Sequence, residues 1–188
     1  MNIFVLSECP IQSAILQCDK HVVKMIVESA QMLSTIHRML DGKEERRLSK
    51  SGKTNVKYWS LSDYRELIMY KAVHMYHPCT VWTGESLANY QWHYEHFVAL
   101  CDEYQYRYGK THKTDTLLRK VLSKAPSNIP DKGLTPFKLA MGSNPECMLA
   151  DPVESYRAFY MTKQERFKMA WTGRDIPEWF NVKESFTL

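Results

Sequence analysis

A 188-residue chain with 44% hydrophobic and 24% charged residues is ordinary for a globular protein and long enough for one domain with a proper core. Its net charge of +4 permits an anionic partner such as nucleic acid without demanding one. No apolar run approaches the roughly 20 residues of a membrane helix, "MNIFVL" is too short and uncharged for a signal peptide, and five cysteines without a CxxC pair fit a cytoplasmic protein with reduced thiols.

In chain order, "MNIFVL" predicts a short extended start closed by Pro10. A helix is expected from about Ile11 to Met39. Cys18, His21, Met25, Glu28, Met32 and Thr35 recur on one of its faces, beside the more apolar Val22, Ile26 and Leu33. Residues 41–57, dense in charge and poor in hydrophobes, predict a mobile basic loop. A second helix is expected over Ser62–Met75, ended by "HP". The strongest pattern runs from Thr83 to Tyr108, where Leu87, Tyr90, Tyr94, Phe97, Cys101, Tyr104 and Tyr108 form a stripe and Gly109 closes the helix. A shorter helix follows over Asp115–Lys124, then a Pro-rich loop and a turn of helix at "FKLAM". Asp151 and Pro152 are the N-cap and first turn of a helix through "DPVESYRAFYMTKQERFKMA". With no repeat and no long linker, residues 1–188 read as a single compact, mainly α domain with a short extended N-terminal segment.

Two polar residues interrupt the first helix face. Carboxylates are rarely buried without a partner, so Glu28 demands a partner or a cleft. His21 lies two turns away, about 10 Å along the axis, so the two could line one pocket without touching. His21 and Glu28 are therefore the candidate catalytic pair, with His21 expected as an acid–base group near neutral pH. Lys20 and Lys24 flank that face and could meet phosphate. "YQYRYGKTHKTD" interleaves tyrosines with Arg107, Lys110 and Lys113, a pattern suited to stacking on bases and neutralising phosphates, although a solvated helix end explains it too. Trp82, Asn89, Tyr90 and Trp92 are the candidate substrate-binding residues. No HExxH and no Cys/His quartet occurs, and neither a Gly-rich phosphate loop nor GxSxG, so no metal or cofactor is expected.

"CDKHVVKMIVESAQMLSTIHR", "HPCTVWTGESLANYQWH", "YRYGKTHK", "TPFKLAM" and "DPVESYRAFY" together resemble a family of small, largely uncharacterised proteins of tailed phages. That resemblance spans nearly the whole chain and implies a protein of the infected host cell's cytoplasm. In layout the chain is also similar to the endonuclease V-type pyrimidine-dimer DNA glycosylases. The N-terminal segment, the helix after Pro10, "HPCTVW", "YRYGK" and "WTGRDIPEWF" fall in that family's order. This second resemblance implies a DNA partner, an extruded base and glycosylase-like chemistry. The family's nucleophile is an N-terminal amine freed before a small residue; here Asn2 follows Met1. Its Arg–Glu pair on the first helix is replaced by Lys20–His21, with the carboxylate at Glu28. The competing expectations are a non-catalytic protein that binds nucleic acid or a host protein, and an enzyme acting on nucleotides.

Overall fold

Residues 1–181 are described by a computed structural model. Its N-terminal segment, Met1 to Leu6, is threaded through the core without joining a sheet, with Ile3, Phe4, Val5 and Leu6 all buried. A buried strand without neighbours must find other partners for its backbone. Side chains supply them. Ser13 Oγ donates to the Phe4 carbonyl and accepts from the Leu6 N–H, Gln17 Nε2 donates to the Ile3 carbonyl, and Arg157 Nε donates to the Leu6 carbonyl. Phe4 has a φ of 55°, a region non-glycine residues rarely adopt. The Asn2 side chain helps hold it there, accepting from the Phe4 N–H at 2.9 Å.

The segment lies against α1 (Pro10–Ile15) and α2 (Asp19–Asp41), which replace the single helix expected from Ile11. The break at Leu16–Cys18 is tertiary in origin. The Cys18 N–H donates to the Tyr160 hydroxyl at 2.8 Å and the Asp19 N–H to the Ala170 carbonyl at 2.8 Å.

Residues 41–57, expected as a loop, carry strand structure instead. They build most of a hairpin of β1 (Lys43–Leu48) and β2 (Asn55–Ser60), with Glu44 opposite Trp59 and Arg46 opposite Lys57. Charge density hid the pairing, yet the charges are what stabilise it: Lys57 meets Glu44 at 2.9 Å, and the Arg47 guanidinium stacks 3.7 Å from the Tyr58 ring.

Only Arg65–Ile68 (α3) of the second expected helix forms. Arg38, 1% exposed, explains the shortfall. Its guanidinium donates to the carbonyls of Trp59, Glu66, Met69 and Tyr70 and pairs with the Glu66 carboxylate at 2.6 Å. Carbonyls fixed around one cation are not free to build a helical ladder.

The whole stripe lies in α5 (Leu87–Tyr108), and the expected start at Thr83 falls instead in α4 (Pro78–Glu85), set apart by Ser86, whose extended backbone and side chain cap α5 through the Asn89 N–H. As expected, α5 is central. Tyr90, Phe97 and Cys101 are buried against α1 and α2, and Gly109 closes the helix at φ 64°. The helix α6 spans Lys113–Leu122, capped by His112. "FKLAM" is irregular. After a 3-10 turn at Pro145–Cys147, α7 (Pro152–Met161) begins as expected, the Asp151 carboxylate accepting from the Glu154 N–H at 2.8 Å. It stops at Met161, and a 3-10 turn at Thr162–Glu165 redirects the chain. The mainly helical class stands, with one two-stranded sheet among the described residues. None of these helices is long and apolar enough to cross a membrane.

Candidate functional site

The threaded N-terminus, the α2 face and the turn after α7 enclose a half-open pocket of about 240 Å³. Met1, Phe4, His21, Lys24, Glu28, Phe159, Lys163, Arg166 and Phe167 are among its walls. The question posed by the first helix face therefore has a geometric answer: His21 and Glu28 line the same pocket.

Glu28, 13% exposed, is the only carboxylate among those wall residues. Its Oε2 accepts from the Asn2 N–H at 3.0 Å and lies 3.7 Å from the Met1 amino group, while Lys24 approaches Oε1 at 3.3 Å. The buried N-terminal segment thus delivers an amine to a carboxylate. His77, which caps α4 by accepting from the Cys79 N–H, lies close enough that burial and then the Met1 ammonium lower its pKa.

His21 is buried, with its ring stacked on Phe4 at 4.7 Å. Its Nδ1 lies 2.7 Å from the Tyr160 hydroxyl. That hydroxyl also accepts from the Cys18 N–H, so one oxygen ties the His21 ring to the start of α2. Burial, and then the charges of Lys24 and Lys163, lower the pKa to about 3. The expected acid–base role near neutral pH is thereby corrected: His21 is neutral through the physiological range.

Cations dominate the rest. Lys163 is 7% exposed, its ammonium 3.3 Å from the Phe159 ring centre, and it has no carboxylate within ion-pair distance among the described residues. Burial, reinforced by Arg166 and Lys24, pulls its pKa to about 8. At the α2 N-terminus the exposed Lys20 lies over Phe167 at 4.6 Å. Lys163 and Arg166 were not singled out from the sequence; their i,i+3 spacing in "MTKQERF" was the available signal.

Other expected site residues lie elsewhere. Trp82, Asn89, Tyr90 and Trp92 are buried and cannot form a stacking platform. Their polar atoms bind the framework: Trp82 Nε1 donates to the Thr135 carbonyl, Asn89 Nδ2 to the Trp82 carbonyl, the Tyr90 hydroxyl to the Leu122 carbonyl and Trp92 Nε1 to the Glu8 carbonyl. Aromatic residues read as ligand surface had stronger use as core.

Arg107 is likewise no phosphate clamp. Its buried guanidinium donates to the carbonyls of Ile15 and Gln17 and pairs with Asp19 at 3.1 Å and Glu103 at 2.9 Å. It ties α5 to the break between α1 and α2. Lys110 and Lys113 are exposed, as a phosphate-binding role requires. Arg107→Met is expected to cost about 3–5 kcal/mol, because it leaves buried acceptors and carboxylates uncompensated. Thermal melting should then fall by about 10 °C. An unchanged melt with weakened DNA binding would return Arg107 to the surface role.

A larger groove of about 460 Å³ between α1 and α5 is apolar along Ile11, Ile15, Val98 and Ala99, with Asp102, Glu103, Arg119 and Arg174 at its edge. It brings no carboxylate and amine together in the way the Glu28 pocket does. Among the described residues no group of three or more His, Cys, Asp or Glu side chains is placed to hold a metal ion. Fold and site together define a mainly helical protein with a carboxylate–amine pocket rimmed by cations. The chain matches no protein-family model, no curated protein and no solved structure.

Proposed function

We propose that this protein is a DNA-acting enzyme that releases a damaged or modified base by glycosylase-like chemistry in the Glu28 pocket. The observation that carries the reading is the half-buried Glu28 carboxylate set beside an amine and ringed by Lys24, Lys163 and Arg166. Cleavage of a glycosidic bond builds positive charge on the sugar. A carboxylate fixed in a partly desolvated pocket stabilises that charge more strongly than one in water. The cations bind the phosphates on either side of the sugar. The neutral His21 ring hydrogen-bonds the departing base or the sugar. Lys20, exposed at the same end of α2, extends the cationic rim. The Tyr108 hydroxyl contacts the Asp19 carbonyl beside Lys20, so α5 ends near this rim, just before Lys110 and Lys113 in the chain.

One observation favours a second reading. The expected aromatic platform is buried, and the pocket's volume suits a single nucleoside, so an enzyme acting on mononucleotides uses the same residues. Incubation with ultraviolet-irradiated, modified and plain duplexes, alongside the corresponding mononucleotides, separates the two. Free base and nicked strand from duplex alone support the first reading. Turnover of mononucleotides alone supports the second. Binding to duplex with no product from either substrate means a non-catalytic protein.

A further inference from the structure

We propose that Lys163 is the nucleophilic amine of this pocket, and that it captures an aldehyde flanked by a phosphate as an imine. Within the glycosylase reading this names the group that takes hold of the opened sugar, and to that extent it rests on that reading. The ligand chemistry is more general, because a small phosphorylated aldehyde presents the same two groups.

Three amines line the pocket, and their surroundings separate them: Lys24 is exposed and paired with Glu28 at 3.3 Å. The Met1 amine is paired with the Glu28 carboxylate, 3.7 Å from its Oε2. Lys163 has the opposite environment: it is buried, has Arg166 and Lys24 for electrostatic neighbours and rests on the face of Phe159. A desolvated lysine beside other cations is the arrangement that frees an amine lone pair near neutral pH. A fall in pKa from 10.5 to about 8 raises the free-amine fraction at neutral pH by about 10²-fold. The same cations supply the site for the phosphate. Lys24 on α2 and Arg166 after the 3-10 turn both line the pocket with Lys163.

The step balances without an oxidant or reductant. The Nζ lone pair adds to the carbonyl carbon, a proton moves from nitrogen to the resulting alkoxide, and the carbinolamine loses one water to give the imine. Glu28 is the carboxylate on hand to relay that proton.

Reductive trapping tests the proposal. The full-length protein is treated with cyanoborohydride and either a duplex carrying one abasic deoxyribose or glyceraldehyde 3-phosphate, and the adduct is mapped by peptide mass spectrometry. The expected result is an adduct at Lys163, formed at least about tenfold faster than at the other lysines. It should be lost in Lys163→Arg and in Lys163→Met, with melting measured for both variants. Two variants are used so that a folding defect in one leaves the other to decide. Capture of the abasic duplex supports both this assignment and the glycosylase reading. Capture of glyceraldehyde 3-phosphate alone keeps Lys163 as nucleophile and removes the DNA reading. An adduct on the Met1 amine, labelling spread evenly over the lysines, or no adduct with either probe overturns the proposal.

Discussion

Glu28→Gln is expected to slow product formation by about 10²–10⁴-fold while leaving the fold intact. Glutamine keeps the shape and an oxygen to accept from the Asn2 N–H, which holds the N-terminal segment in place at 3.0 Å. It loses the negative charge. The ion pair with Lys24 contributes little to stability, because that lysine side chain is 64% exposed. The buried Met1 amine, 3.7 Å from Oε2, also loses its counter-charge, so melting should fall by about 5 °C with the fold retained. The discriminating measurement is single-turnover rate beside melting temperature on the same preparation. A variant that melts early but turns over normally would make Glu28 a structural residue, and the pocket would lose its chemical role. His21→Asn tests the neighbouring ring. Its effect should appear in the rate without removing an inflection at neutral pH, since His21, held at about 3, does not titrate there.

Acidification is expected to unfold the protein cooperatively at mildly acidic pH, because four histidines are locked in the neutral state. The Nδ1 of His21 bonds the Tyr160 hydroxyl at 2.7 Å inside the stack with Phe4. The Nε2 of His37 donates to Tyr90, while its Nδ1 accepts from Arg65. The Nδ1 of His96 donates to the Pro10 carbonyl, which leaves Nε2 to accept from Gln17. His93 donates through Nδ1 to Thr83, whose own proton goes to the Cys79 carbonyl, and its Nε2 is buried without a partner. A second ring proton would meet a donor at His37 and His96 and find no acceptor at His93.

Burial is the first cause of depression for all four, lowering His21 to about 3, His37 and His96 to about 4, and His93 well below its ordinary value. The unfolded chain therefore binds more protons than the folded one between those values and 6.5, and stability is lost as pH falls through that window. Each histidine costs about 1.4 kcal/mol per pH unit once within it. Two units across four groups amount to on the order of 10 kcal/mol, comparable with the ~5–15 kcal/mol stability of a typical domain. Melting followed against pH should decline steeply below about pH 6, with a proton uptake on unfolding that approaches four. A melting temperature that stays level to about pH 5 would contradict the neutral-histidine arrangement.

What the sequence by itself determined lies in short-range chemistry. The Asp151 cap and Pro152 start of α7, the left-handed Gly109 at the end of α5, and the placing of His21 and Glu28 on one face of α2 follow from residues within a few turns of one another. Capping, left-handed glycine and helical period are local properties, so they are legible in the chain. The tertiary structure decided where distant groups compete for the same partner. Arg38 claims the carbonyls of a segment with helical pattern, and Tyr160 and Ala170 break the expected first helix at Cys18–Asp19. Trp82, Tyr90, Trp92 and Arg107 become framework because the core takes their surface. The pocket itself is the clearest case. Its Lys163 comes from far beyond α2 in sequence, and the same burial that brings it in strips His21 of basicity and leaves Lys163 poised to lose its proton. Desolvation depends on what surrounds a group in space, and no window along the chain contains that information.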